Sequence, residues 1–92
     1  MILKSKAGIL NIVLDSECTI AETEDDFEKL KNIDELPKKI ELITDKIQEI
    51  DTAYFQMLLS IKAWAEQNKI PFTISETSTS IEEISELYGI KL

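Results

Sequence analysis

The pair Asp51-Thr52 stands directly before the apolar run Ala53 to Ala65 and is the point in this sequence best placed to do chemistry. A carboxylate and a hydroxyl at the head of a helix are N-cap acceptors for the orphan amides of its first turn, and capping by itself accounts for both. The same place also suits a phosphate on the Thr52 hydroxyl. Free N–H groups and the positive end of the helix dipole stabilise added negative charge there, while the Asp51 carboxylate opposes it by like-charge repulsion.

The other chemistry-bearing residues are weaker candidates. Asp25, Asp26 and Glu28, and again Glu82, Glu83 and Glu86, are runs of carboxylates, but acid/base pairs need a cleft that perturbs their titration, and such runs read as solvated helix faces. Neither run has the spacing of a calcium loop, so no metal site is expected. Ser75, Thr77, Ser78, Thr79 and Ser80 make a hydroxyl-rich stretch that turn and capping chemistry explains. Cys18 is the single cysteine and has no cation beside it in sequence, so it reads as a small apolar filler.

What is missing narrows the function further. The chain has 92 residues, no His, no Arg and only Gly8 and Gly89 as glycines. Imidazole-based nucleophile pairs, thiolate zinc clusters, disulfides and glycine-rich phosphate loops are all out of reach, so no cofactor and no enzymatic activity are expected. The net charge of −8, with every cation a lysine, argues against nucleic acid and against anionic membrane surfaces. No apolar run approaches the roughly 18 residues that would cross a bilayer, and nothing resembles a targeting segment. A cytoplasmic protein with no membrane insertion is expected, in keeping with one unpaired cysteine.

The elements that must position Thr52 follow from periodicity. Residues 2 to 14 read as a β-hairpin turning at Ala7-Gly8, with Ile9 to Leu14 as its β-rich second arm. The segment 18 to 20 reads as a connection. Thr23 and Asp26 have capping-box spacing, and Phe27, Leu30 and Ile33 follow at helical intervals, which predicts a first helix over about 23 to 34, ending before Pro37. Ile40, Leu42 and Ile43 predict a third strand, running raggedly on through 47 to 50. Residues 51 to 68 predict the central helix. Phe72 to Ile74 predict a short strand, 75 to 79 a polar loop, and Ser80 with Glu83 a capping box for a last helix that stops at Gly89. The order ββαβαβα, in one domain over 1–92, implies a mixed α/β sheet with helices packed mainly on one face.

Ten of the 13 residues from Ala53 to Ala65 are apolar, and at 100° per residue they divide into two stripes. Phe55, Leu58, Leu59 and Ala65 face the sheet. Tyr54, Met57, Ile61 and Trp64 form a flank that either packs under a neighbouring helix or stands open as a protein-contact patch.

The run Ile50-Asp51-Thr52-Ala53-Tyr54-Phe55-Gln56-Met57-Leu58-Leu59 resembles the signature of STAS domains, the fold of anti-sigma factor antagonists, in which Asp is followed by Ser or Thr, a small residue, Gly and an apolar helix. Ile70 to Ile74 and Ile81 to Ile90 fall where that family has its last strand and final helix. The resemblance implies a STAS-type fold and a regulatory binding protein of bacterial signal transduction that switches partners when a serine kinase, itself the anti-sigma factor, phosphorylates Thr52. Together with the open reading of the flank, the expected contact surface is Asp51, Thr52, Ala53, Tyr54, Met57, Ile61 and Trp64. Two positions depart: Tyr54 stands for the family's Gly, where a ring beside Thr52 could obstruct a kinase, and Ile43 for an acidic residue. STAS domains also serve as docking subunits beside a phospholipid-transporter ATPase or in chemotaxis systems, and self-association into a homodimer stays open.

The charge follows the same division. Residues 21 to 36 hold seven acids and two lysines, net −5, and residues 71 to 92 hold four acids and one lysine, net −3. The segment 51 to 70 is neutral, so the acidic faces lie on the first and last helices and the helix bearing Thr52 carries none.

Overall fold

Backbone handedness closes the first hairpin. Ala7 and Gly8 both sit in the left-handed region, at φ 53° and 83°, the pairing a two-residue type I′ turn requires because its twist matches the strands it joins. β1 (Ile2–Lys6) therefore pairs antiparallel with β2 (Ile9–Val13), Lys6 opposite Ile9. The computed structural model describes residues 1–33, 35–76, 78–90 and 92, with the side chains of Ser75 and Glu76 outside that description.

The chain continues through β3 (Glu17–Cys18), α1 (Ile20–Lys31), β4 (Lys39–Ile43), β5 (Glu49–Ile50), α2 (Thr52–Gln67), β6 (Phe72–Glu76) and α3 (Thr79–Tyr88). The main sheet has the order β1-β2-β4-β6, and β2, β4 and β6 run parallel to one another. Each parallel step is bridged by a helix, as parallel pairing demands. β3 and β5 form a separate two-residue parallel pair. The expected order ββαβαβα is the one observed, with β3 and β5 as small additions between its elements.

Alternation decides the layers. Leu10 and Ile12 on β2 stand beside Ile40 and Leu42 on β4, all four buried, while the intervening Ile9, Asn11, Val13, Lys39, Glu41 and Ile43 are half-exposed. One face thus carries the helices, and the other carries ordinary surface pairs such as Lys39–Glu41 at 3.2 Å. Leu14, Cys18, Tyr54, Met57, Leu58, Ile61, Ala65 and Ile81 complete the core around the inner face. The edge strand β1 exposes Lys4 and Lys6, which discourages pairing with another chain.

Several boundaries differ from the sequence-based expectation. Helix α1 begins at Ile20, where Glu22 accepts from the Thr19 amide and hydroxyl at 3.0 and 2.5 Å. Thr19 and Glu22 have the same capping spacing as Thr23 and Asp26, and the exposed Ile20 between them masks the helical pattern. Thr23 instead donates back to the Thr19 carbonyl, and Asp26 is buried. The expected connection over 18 to 20 is instead the end of β3 at Cys18, the N-cap Thr19 and the first residue of α1, Ile20. Ser75 lies in β6 rather than in a polar loop, and the N-cap of α3 is Ser78, which accepts from the Ile81 amide at 3.2 Å, so the Ser80–Glu83 box is not used. Thr77 and the expected helix end at Asp34 lie outside the described residues. Gly89, at φ 64°, ends α3 as expected.

Candidate functional site

The head of α2 is built by one carboxylate serving two helices. Asp51, in extended backbone, accepts the Tyr54 amide at 3.0 Å through Oδ1 and the Ile20 amide at 2.7 Å through Oδ2. It thereby fills an orphan donor in the first turn of α2 and another in the first turn of α1. The β3–β5 pair brings these two helix starts together, since the Asp51 amide also donates to the Cys18 carbonyl at 3.0 Å.

Thr52 follows as the first residue of α2, with its side chain exposed. Its hydroxyl is hydrogen-bonded to the Tyr88 hydroxyl at the end of α3. The Tyr88 ring stacks on Phe55, one turn further along α2, with centroids 6.2 Å apart and planes 17° from parallel. Tyr88 is 44% exposed, and its sequence neighbours Leu87 and Ile90 are exposed as well, at 75% and 46%. Sequence reasoning missed Tyr88 altogether. Its signal was weak: an aromatic residue just before a helix-terminating Gly, 36 positions from its partner.

The remaining expected contact residues separate into two groups. Asp51 and Ala53 are half-buried and Trp64 is 40% exposed, so these stay on the surface with Thr52. Tyr54, Met57 and Ile61 do not. Tyr54 is fully buried, and Met57 and Ile61 are each 7% exposed. The open-patch alternative for that flank is corrected on these three, because α1 packs over it and takes them into the core. Leu59, expected to face the sheet, is only half-buried.

Tyr54 points inward to a polar contact under α1. Its hydroxyl donates to Asp26 Oδ2 at 2.6 Å. Asp26 is 5% exposed, and its other oxygen lies 3.4 Å from the Met1 ammonium and 3.8 Å from Lys29 Nζ. Burial, reinforced by the bond to Asp26, drives the Tyr54 phenol well above the ordinary tyrosine range. Burial likewise pushes the Cys18 thiol up to about 12, so that it stays protonated and unreactive, as a buried filler should. The Tyr54 ring is therefore turned inward, away from the exposed Thr52.

A concave feature lies toward the opposite end of α2. An apolar groove of about 500 Å³ runs between α1 and α2 over the inner sheet face, floored by Leu10, Ile12 and Ile40 and flanked by Phe27, Leu36 and Trp64. Lys31 Nζ sits 4.9 Å from the Phe27 ring centre at its edge. Among the described residues, no cluster of three or more His, Cys, Asp or Glu side chains is arranged to hold a metal ion, and no helix is long and apolar enough to cross a membrane.

No family model matches the chain, and no curated protein matches it significantly.

Proposed function

We propose that this chain is a non-enzymatic, cytoplasmic regulatory binding protein of the STAS, anti-sigma factor antagonist type, whose partner-facing surface is the head of α2 and whose switch is phosphorylation of Thr52 by a partner serine kinase. One observation carries the reading: the exposed hydroxyl in the first turn of α2 touches Tyr88, an exposed aromatic residue at the end of α3. A hydroxyl against an exposed aromatic side chain is a surface that a protein partner can desolvate, and that a phosphate would make hostile to the same partner. The element order ββαβαβα and the resemblance of residues 50 to 59 to the STAS signature support it further. The inward turn of Tyr54 removes the obstruction expected of a ring at that position.

A phosphate would change the net charge from −8 to roughly −10, a small global change. With screening over about 8 Å at physiological salt, its effect is local to the contact surface. Incubation of the purified chain with ATP and a lysate of its source, followed by peptide mass mapping, should place a phosphate on Thr52 and lose it in Thr52→Ala. Label absent from Thr52, or persisting in the variant, defeats the switch.

A second reading, constitutive docking as a subunit beside a transporter ATPase or in a chemotaxis assembly, is favoured by Asp51. Its carboxylate already occupies one amide at each of the two helix starts, leaving less for a phosphate to gain. Affinity capture with wild type and Thr52→Asp in parallel separates the two: a partner held equally by both supports the subunit.

A further inference from the structure

We propose that Tyr88 is a latch on Thr52, holding the last turn of α3 against the head of α2, and that a phosphate on Thr52 releases that turn. The proposal rests on the reading of Thr52 as phosphoacceptor and adds what the modification does to the rest of the fold.

Helix α3 is anchored unevenly. Its buried residues, Ile81 and Ile84, both precede its last turn, and the Ser80 hydroxyl ties its first turn to the Gln48 carbonyl at 3.3 Å. In the last turn Glu86, Leu87 and Tyr88 are all exposed, and what Tyr88 contributes there is its stack on Phe55 and its bond to the Thr52 hydroxyl. Beyond it, Gly89 and Ile90 donate their amides back to the Glu86 and Ser85 carbonyls, at 3.2 and 3.1 Å, and Leu92 returns to the core. The turn is thus closed by local capping bonds, and Tyr88 ties it sideways to the head of α2.

The two helix ends meeting at Thr52 have opposite polarity. Thr52 is at the N-terminus of α2, where negative charge is favourable, and Tyr88 is the final residue of α3, whose carbonyl end is negative. Cations near such an end would soften the clash, but the last turn of α3 carries no basic residue and includes Glu86. In the phosphorylation step, a bond forms between Thr52 Oγ and the γ-phosphorus of ATP, the bond from that phosphorus to ADP breaks with ADP taking the electron pair, and the hydroxyl proton passes to a base of the kinase. Oγ then has no proton to donate, and the three phosphate oxygens crowd the space the Tyr88 phenol occupies. The phosphate is stabilised by α2 and repelled by α3, and this difference in interaction between the latched and released states is what shifts the balance.

The test needs no partner. Amide exchange is followed by NMR on the isolated chain as wild type, Thr52→Val, Tyr88→Phe, and with phosphothreonine incorporated at position 52 in the wild-type and Tyr88→Phe backgrounds. Loss of the hydroxyl bond in Thr52→Val or Tyr88→Phe should speed exchange at Gly89 and Ile90 about threefold or more, and the phosphate about tenfold. The amides of β2 and β4 serve as the control for intact folding. Adding Tyr88→Phe to the phosphorylated chain should change little, because the latch is already open. Unchanged or slowed exchange at Gly89 and Ile90 on phosphorylation overturns the latch, as does an effect of the phosphate that simply adds to that of Tyr88→Phe. Either result leaves the switch itself to be judged by peptide mapping and capture, so the two readings fail separately.

Discussion

Tyr54→Phe separates a buried structural ring from a surface contact. The substitution removes one oxygen from a fully buried side chain and leaves the ring in place, so packing is nearly conserved. What is lost is the donor to Asp26 Oδ2 at 2.6 Å, a charge-assisted bond in a site where Asp26 itself is 5% exposed. Hydrogen bonds to charged groups contribute about 1.5 to 3 kcal/mol, and the Met1 ammonium and Lys29 still face the other carboxylate oxygen, which favours the lower half of that range. A loss of about 2 kcal/mol is expected. For a domain whose whole stability is of order 5 to 15 kcal/mol, that lowers Tm by roughly 8 to 16 °C and shifts the urea midpoint by about 1 to 2 M. A cycle with Asp26→Asn should show coupling of about 1 kcal/mol or more between the two side chains. Partner capture, by contrast, should survive at temperatures where the variant is folded. If Tyr54→Phe stays within about 0.5 kcal/mol of wild type, the phenol does not anchor α1 to α2, and the assignment of this flank to the core rather than to a partner is wrong.

Three further outcomes follow from the same structure. Asp51→Ala removes acceptors from two helix starts and should destabilise by about 2 kcal/mol in urea unfolding, against about 1 kcal/mol for Ser78→Ala, which removes one cap; equal effects would deny the double role. Cys18 titrates near 9 when unfolded and about 12 when folded, and Tyr54 is raised as well, so the folded state binds more protons in alkali. Stability should be full below pH 9 and fall as pH rises toward 12, and the fall in Tm should be shallower in Cys18→Ala; an identical slope would remove the thiol from the cause. Ala7→Asn puts a residue that tolerates φ 53° into the type I′ turn and should raise stability by roughly 0.5 kcal/mol, whereas Gly8→Ala, strained at φ 83° and with an added Cβ 2.9 Å from the Lys38 side chain, should lower it by about 1 kcal/mol; chemical denaturation reads both signs.

Legibility in the sequence tracked the range of the interaction. The hairpin turn, the strand around Leu42, the central helix and the Gly89 stop were all readable because each is fixed by neighbours within a few residues. The capping boxes were readable in kind and misplaced in position. Thr19–Glu22 and Ser78 compete with Thr23–Asp26 and Ser80–Glu83 under the same spacing rule, and only the bonds actually made choose between them. Asp26 shows how far such a choice reaches: counted as a solvated carboxylate on a surface face, it is instead the buried acceptor of a tyrosine 28 positions away.

The sequence alone determined the order of elements, the exclusion of imidazole and disulfide chemistry, the acidic outer helices and the placing of a hydroxyl at the head of a neutral apolar helix. These depend on composition and on periodicity along a single segment. Tertiary structure decided which side of that helix is inside. Two apolar stripes at 100° spacing are equivalent until another element covers one of them, and α1 covers Tyr54, Met57 and Ile61 while leaving Trp64 half-open. It also decided what Thr52 touches. The Asp51 bond to Ile20 and the Thr52 bond to Tyr88 span 31 and 36 residues, and contacts of that separation exist only once the sheet has set the helix ends side by side.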